Sequence, residues 1–262
     1  MPTFLFNEII FGPVKSRRLG VSLGINLLPV TKKMCNYNCI YCECGLTTGS
    51  PYKCTAKIPL RKEVRSELEK KLTEMKGNNQ HLDVITFAGN GEPTLNPDFP
   101  QIIDDTIKLR DNIFPEAKIA VLSNATTIKN SKIRNALLKV DQNILKLDSV
   151  SDNTVNLINK PNNKFYSTAK KVQNLKKFNG QLIIQTLFLR GISEGQKIDN
   201  TSAEEISEWV KAIDEIRPSE VMIYTISRDT PAGSELEKIP LDELNSIAQM
   251  INKLGIKTQV SG

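Results

Sequence analysis

The sequence predicts an α/β chain arranged as a partial (β/α)6, TIM-like barrel. Six short apolar runs, most of them rich in β-branched residues and several without strict alternation, read as strands buried on both faces. Stretches with apolar residues at helical spacing lie between them, and such serial alternation builds a parallel sheet with helices outside. Length sets the count: 262 residues accommodate six units, whereas a closed eight-stranded barrel needs more chain or shorter units.

The first strand is Val21–Leu28, followed by a long loop over Pro29–Pro59, and loops of that length usually carry a function. Val64, Leu68, Leu72 and Met75 recur at helical spacing, with Gly77 as the stop. The next strands are Val84–Phe87 and Lys118–Leu122, with a helix over Ile102–Leu109 between them. A helix over Ile133–Leu138 leads to the strand Ile144–Leu147, and one over Ala169–Phe178 to the strand Leu182–Leu189. Ser202 and Glu205 form a capping-box start to a helix with Ile206, Trp209, Val210, Ile213 and Ile216 on one face, and Pro218 ends it. The sixth strand is Glu220–Ile226, and Leu244, Ile247, Ala248, Ile251 and Leu254 make a last helix closed by Gly255. No linker, repeat or low-complexity segment divides the chain, so one domain over 1–262 is expected.

Hydrophobic content of 39% and charged content of 24% are those of a globular protein. No apolar run approaches the roughly 20 residues that span a bilayer. The start of the chain carries Glu8 and has no basic leader. The five cysteines are an odd number bunched between 35 and 54, which is no disulfide framework and points to a reducing, cytoplasmic setting. Net charge is +6 and the pI about 9.0, a balance that suits a phosphate-rich partner or a lysine-rich solvated surface. Lys15, Arg17, Arg18, Lys32 and Lys33 lie near the long loop, whereas Lys170, Lys171, Lys176 and Lys177 read as the wet face of a helix. His81 is the only histidine and belongs to no motif, which argues against histidine acid–base chemistry.

Cys35, Cys39 and Cys42 form a CxxxCxxC arrangement inside the long loop. A structural zinc or a fully ligated iron–sulfur cluster takes four protein ligands. A four-iron cluster on three cysteines keeps one iron open to a ligand that is not protein. Zinc is the alternative, with Cys44 or Cys54 as the fourth ligand, although Cys42-Glu-Cys44 is cramped for a tetrahedral site. Gly89-Asn-Gly-Glu-Pro-Thr94 follows the second predicted strand: its glycines let the backbone approach a ligand, and Glu92 offers an acceptor for an ammonium group, or the string is simply a turn. Ser123 and Asn124 end the third strand as ligand-bonding groups or as a cap. Lys146 and Asp148 share a face of the fourth strand, as a barrel-mouth pair or a structural one. Gln185 is a polar residue in an apolar run and needs a partner if buried. Tyr224 closes the sixth strand, or belongs to the core.

The cysteine spacing, with the aromatic Tyr41 just before its last member, resembles the cluster loop of the radical S-adenosylmethionine (radical SAM) enzymes. Phe11-Gly-Pro-Val-Lys-Ser-Arg-Arg-Leu-Gly20, Ser22-Leu-Gly24, Gly89–Thr94, Leu122-Ser-Asn-Ala-Thr126, Leu145-Lys-Leu-Asp148 and Ile184–Gly191 resemble the branch of that superfamily related to the tRNA wyosine-base synthases. The resemblance implies a partial barrel, a [4Fe–4S] cluster on Cys35, Cys39 and Cys42, and SAM chelating the open iron. It implies cofactor contacts at Tyr41, at Gly91, Glu92 and Pro93 for the methionine amino group, at Ser123, Asn124 and Gln185, at Lys146 and Asp148 for the SAM ribose or the substrate, and at Tyr224 for adenine. It also implies a flavodoxin- or ferredoxin-like electron donor, and an RNA or nucleoside is one substrate class it suggests. Asn90 stands where the superfamily motif has a glycine, and residues 1–34 carry none of the extra cysteines of the wyosine enzymes. A glycyl-radical activating enzyme and a non-catalytic zinc module are the other readings.

Overall fold

The computed structural model describes residues 4–16, 19–47, 49–51, 54–227 and 235–262. Arg17 and Arg18 of the basic string lie outside the described residues. The sheet opens with an antiparallel hairpin of β1 (Ile10–Ser16) and β2 (Gly20–Ile25). Parallel strands follow: β3 (Val84–Phe87), β4 (Lys118–Ser123), β5 (Gln142–Lys146), β6 (Ile183–Ser193), β8 (Glu220–Thr225) and β10 (Lys257–Ser261). Their order is β1-β2-β3-β4-β5-β6-β8-β10, with β7 (Gln196–Asp199) and β9 (Leu236–Lys238) paired to the extended end of β6. The helices are α1 (Arg61–Gly77), α2 (Phe99–Ile113), α3 (Ser131–Leu137), α4 (Asp152–Ile158), α5 (Thr168–Lys176), α6 (Ala203–Ile216) and α7 (Leu241–Asn252).

The six expected strands form β2, β3, β4, β5, β6 and β8, the partial barrel the sequence predicts. β2 stops at Ile25 rather than Leu28 because Asn26 turns the chain: its Oδ1 accepts from the amides of Leu28 (3.2 Å) and Asn90 (3.1 Å). β1 and β10 have no apolar run to announce them, since the first contains Gly12-Pro13 and the second reads Lys-Thr-Gln-Val-Ser. No helix among the described residues is long and apolar enough to cross a membrane.

Alternation along each strand sorts the side chains between two environments. Outward residues such as Ile85, Phe87, Ile119, Val121, Leu145, Ile184 and Val221 pack against Leu68, Leu72, Ile103, Trp209 and Ile247 of the helices. Trp209 stands edge-on to Phe188 at 5.3 Å and donates its indole N–H to the Leu147 carbonyl at 3.2 Å. Inward, Val84, Ala120, Ile144, Ile183 and Met222 form an apolar layer. Two residues further along the same strands stand Thr86, Leu122, Lys146, Gln185 and Tyr224. The barrel interior therefore turns from apolar to polar toward the carboxyl ends of its strands.

Two sequence expectations are corrected. The Ser202 side chain caps α6 by accepting from the Glu205 amide at 3.3 Å, but the Glu205 carboxylate does not return to the cap. It accepts instead from Ser149 Oγ (2.6 Å) and Thr154 Oγ1, tying α6 to the segment around α4. Lys171 is not on the wet face of α5. It is 7% exposed, its ammonium donates to Tyr37 Oη at 3.4 Å, and it lies 5.3 Å from the Tyr37 ring centre. Helical spacing from Lys170 turns Lys171 inward with Val172 and Leu175.

Burial lowers the Lys171 pKa to about 8. Between that value and the unfolded value of about 10.4, the unfolded chain binds the extra proton, so folding stability rises with pH. Below about 8 the penalty for the buried charge is present in full. Lys171→Met therefore gains most, relative to the wild type, at neutral pH, and the gap narrows between pH 8 and about 10.4 in denaturant titrations.

Candidate functional site

The carboxyl ends of the strands open into a cavity of about 310 Å³. Cys35, Cys39, Tyr41 and Cys42 reach its wall from the loop after β2, Gly91 and Glu92 from the turn after β3, and Ser123 and Asn124 from the end of β4. Lys146, Gln185 and Tyr224 reach it from β5, β6 and β8. Pro93 and Asp148 are not on this wall. Pro93 is buried at the start of a 3-10 turn, Pro93–Leu95, where its fixed φ is suited. The Asp148 side chain is fully buried behind the wall.

Backbone pairing places the cysteines. Met34 makes a parallel bridge to Gly91: its amide donates to the Asn90 carbonyl at 2.8 Å, and its carbonyl accepts from the Glu92 amide at 3.1 Å. A Cβ on Gly91 would lie 2.0 Å from the Met34 carbonyl oxygen, and Gly91 has φ of 137°, so only glycine permits this approach. Beyond the first cysteine, the amides of Asn38 and Ile40 donate to the carbonyls of Asn159 (2.8 Å) and Ile158 (2.9 Å) at the end of α4. The Asn162 amide donates to the Asn36 carbonyl at 3.0 Å. The departure at Asn90 has a structural reason. Its amide group accepts from the Phe6 N–H (2.8 Å) and donates to the carbonyls of Phe6 (2.8 Å) and Pro29 (2.9 Å). At about 1 kcal/mol each, these bonds fasten the N-terminal segment and the root of the loop to the motif.

Polar side chains tie the loop down further. Asp148 accepts from Tyr41 Oη, Asn159 Nδ2 (2.7 Å), the Leu187 amide (3.0 Å) and Lys146 Nζ (3.5 Å). The Lys146–Asp148 pair thus exists, with Asp148 anchoring the loop and Lys146 facing the cavity. The Lys146 ammonium donates to Tyr224 Oη at 2.8 Å and lies 5.2 Å and 5.3 Å from the Tyr41 and Tyr224 ring centres. Burial disfavours its charge, but Asp148 and Tyr224 outweigh that and raise its pKa.

Glu92 is buried with a saturated Oε1 that accepts from Thr94 N–H (3.2 Å), Thr94 Oγ1 (2.5 Å) and Ser123 Oγ (2.8 Å). Its Oε2 accepts from the Asn124 amide at 2.6 Å and keeps capacity for a further donor from the cavity. Burial pushes its carboxyl pKa up, against the pull of these bonds.

Lys33, Asn36 and Asn159 are the residues the sequence did not single out for this site. Lys33 is 7% exposed; it donates to the Gly45 carbonyl at 2.7 Å, and its ammonium faces the thiols of Cys42, Cys35 and Cys39. Asn124 Nδ2 donates to Asn36 Oδ1 (2.7 Å) and lies 3.6 Å from Cys35 Sγ, while Asn159 Nδ2 lies 3.4 Å from Cys39 Sγ. These amides offer N–H groups to sulfur, the contacts that stabilise thiolate and cluster sulfur alike. Lys33 and Asn36 flank Cys35 in the chain, whereas Asn159 is brought here by the fold. Cys44 lines the same cavity and Cys54 does not. Among the described residues no three His, Cys, Asp or Glu side chains converge closely enough to ligate one ion. The three thiols share one cavity wall with a buried cation beside them, a donor set that fits a polynuclear anionic centre whose irons each take one cysteine.

Residues 30–199 match the model of the radical SAM superfamily. The chain belongs to that superfamily. Membership implies an iron–sulfur enzyme that uses SAM and a [4Fe–4S] cluster. A UPF0026 protein of Helicobacter pylori is 30% identical over 240 residues, covering 90% of this chain and 71% of that protein. A protein of Brachyspira hyodysenteriae named GTPase Obg is 33% identical over 225 residues, which cover 84% of this chain but only 30% of that protein. Among solved structures, a radical SAM methyltransferase of Sphaerobacter thermophilus superposes with a TM-score of 0.66 at 14% identity, covering 92% of this chain and 65% of the other. TYW1 with a lysine–pyruvate adduct superposes with a TM-score of 0.56 at 15% identity, over 88% of this chain and 73% of that one. At such identities the likeness is one of fold.

The thiols of this radical SAM chain differ sharply before any iron is bound. A hydrogen bond from Cys44, joined by the Lys33 charge, lowers the Cys42 pKa to about 5. Burial pushes Cys35 up to about 12 and raises Cys39 as well. In cluster-free protein, Cys42 is therefore alkylated first by iodoacetamide, at a rate that stays flat through neutral pH. In Cys44→Ala the rate climbs with pH toward the range of an ordinary thiol, as peptide mass spectrometry will show.

Proposed function

We propose that the chain acts as one radical SAM domain, with its cluster loop at 29–59, in which Cys35, Cys39 and Cys42 hold a [4Fe–4S] cluster and SAM occupies the adjoining cavity. The observation that carries this reading is the gathering of three thiols, a half-open buried carboxylate and three strand-borne polar groups on one wall. When bound, the cluster supplies one electron that cleaves SAM to a 5′-deoxyadenosyl radical, which abstracts hydrogen from substrate.

The protein's own residues bind and orient. Glu92 Oε2 offers its remaining acceptor site to the methionine ammonium, beside the glycine turn that brings backbone close. Lys33 balances the thiolates from a buried position, and so favours cluster retention. Lys146, clamped by Asp148 and Tyr224, holds a fixed positive charge over the cavity without being free to move into it. Ser123 is engaged in holding Glu92, so its role is to orient the carboxylate. The layer beneath gives the site a mostly apolar floor.

The electron comes from a flavodoxin- or ferredoxin-like donor. The motif strings around Gly89–Thr94, Leu122–Thr126 and Ile184–Gly191 support kinship with the wyosine-synthase branch.

Anaerobic reconstitution is expected to load about four irons per chain and to give 5′-deoxyadenosine on reduction with SAM present, as chromatography will show. Cys39→Ala loses both. A preparation that binds only stoichiometric zinc overturns the reading.

A further inference from the structure

Gln185 stands apart from the other polar residues of the cavity. It is 6% exposed, and among the described residues its side-chain amide makes no hydrogen bond. Its strand neighbours are otherwise engaged: Lys146 bonds to Tyr224 and Asp148, and the backbone carbonyl of Gln185 accepts from Leu147. The Gln185 amide opens onto cavity space rather than a sealed interior, so its donor and acceptor remain available to a ligand.

The side chain stands between two spaces. Above it is the cofactor cavity. Below it is a second cavity of about 160 Å³ in the barrel lumen, and Gln185, Leu122 and Ala88 line both. The lower wall is apolar, formed by Phe6, Phe11, Leu19, Ile144 and Met222. Phe6 and Phe11 stack at 3.7 Å, and Phe11 lies against Gly24, where a Cβ would come within 2.1 Å of its ring. Ser22 Oγ and Thr86 Oγ1 in this wall share one hydrogen bond at 2.8 Å, and Ser16 Oγ accepts from the Leu19 amide at 3.2 Å. Among the described residues of this lining, Gln185 alone carries a side-chain amide, which offers donor and acceptor side by side.

We propose, resting on the radical SAM reading above, that Gln185 recognises the substrate. The substrate is a small molecule bearing an amide-type edge, with donor and acceptor side by side, next to an apolar group of about the size of an aromatic ring. The amide edge pairs with Gln185 at the floor of the cofactor cavity, and the apolar group enters the lumen. A cavity of about 150 Å³ with apolar walls accepts benzene, so the size is matched. This arrangement sets the atoms joining the two parts directly beneath the cofactor cavity.

Benzamide and toluene are suitable probes, titrated by saturation-transfer NMR into anaerobically reconstituted protein. The wild type binds both. Gln185→Leu weakens benzamide at least about tenfold, the loss expected for two hydrogen bonds, and retains toluene, which also shows that the variant is folded. Met222→Trp fills the lumen and loses both probes. The proposal is overturned if the wild type fails to bind benzamide, if Gln185→Leu binds it as tightly as the wild type, or if Met222→Trp still binds it. Formation of 5′-deoxyadenosine is measured on the same wild-type sample. Its absence counts against the radical SAM reading whatever benzamide does, whereas its presence with unchanged benzamide affinity in Gln185→Leu counts against Gln185 alone.

Discussion

The segment that carries the three cysteines has little regular structure of its own, and its position depends on backbone hydrogen bonds at two places. Met34 pairs with Asn90 and Glu92 across Gly91, and Asn38 and Ile40 pair with the end of α4. Without the first pairing the thiols would have no fixed relation to the carboxylate of Glu92. Without the second, the loop would not lie over Asp148 and Asn159. Gly91 is the residue on which this turns, because a side chain there would displace the Met34 carbonyl. Backbone pairing suits the task because it leaves the thiols unencumbered while fixing the atoms that carry them.

The second organising feature is the change in polarity along the barrel axis. Strand alternation would allow the interior to be apolar throughout, as its lower layer is. Instead lysine, glutamine and tyrosine enter at the next level, and each must be paid for in hydrogen bonds. Lys146 and Tyr224 meet that requirement through each other and Asp148. Glu92 meets it with Ser123, Thr94 and the Asn124 amide, up to one remaining acceptor position. Within the cofactor cavity, spare hydrogen-bonding capacity remains at Glu92 Oε2 and at the Gln185 amide. Residues that satisfy themselves position the site, and those that do not are left for ligands.

Much of this was legible in the sequence because the period of the strands is short and their residues local. The six apolar runs became six strands, and their polar members at 146, 185 and 224 came to one cavity with the cysteines. What could not be read came from long-range contacts. Asn159 serves Cys39 only because the α4 end and the loop meet in space. Lys33 and Lys171 looked like ordinary surface lysines, yet both are buried at the loop, a placement set by packing rather than by any pattern of neighbours. Pro93 and Asp148 lay in matching motifs but support the wall rather than form it, since a motif records adjacency along the chain and not which atoms face the cavity. β1 and β10 escaped notice because edge strands tolerate the polar, glycine and proline residues that disguise them.

Electron paramagnetic resonance of the reduced, anaerobically reconstituted protein, recorded with and without SAM, tests the central claim most directly. The account predicts a [4Fe–4S]¹⁺ signal whose shape changes when SAM is added, because one iron lacks a cysteine and takes the cofactor. A signal indifferent to SAM, from a cluster ligated by protein at every iron, or the absence of any cluster signal, would contradict it.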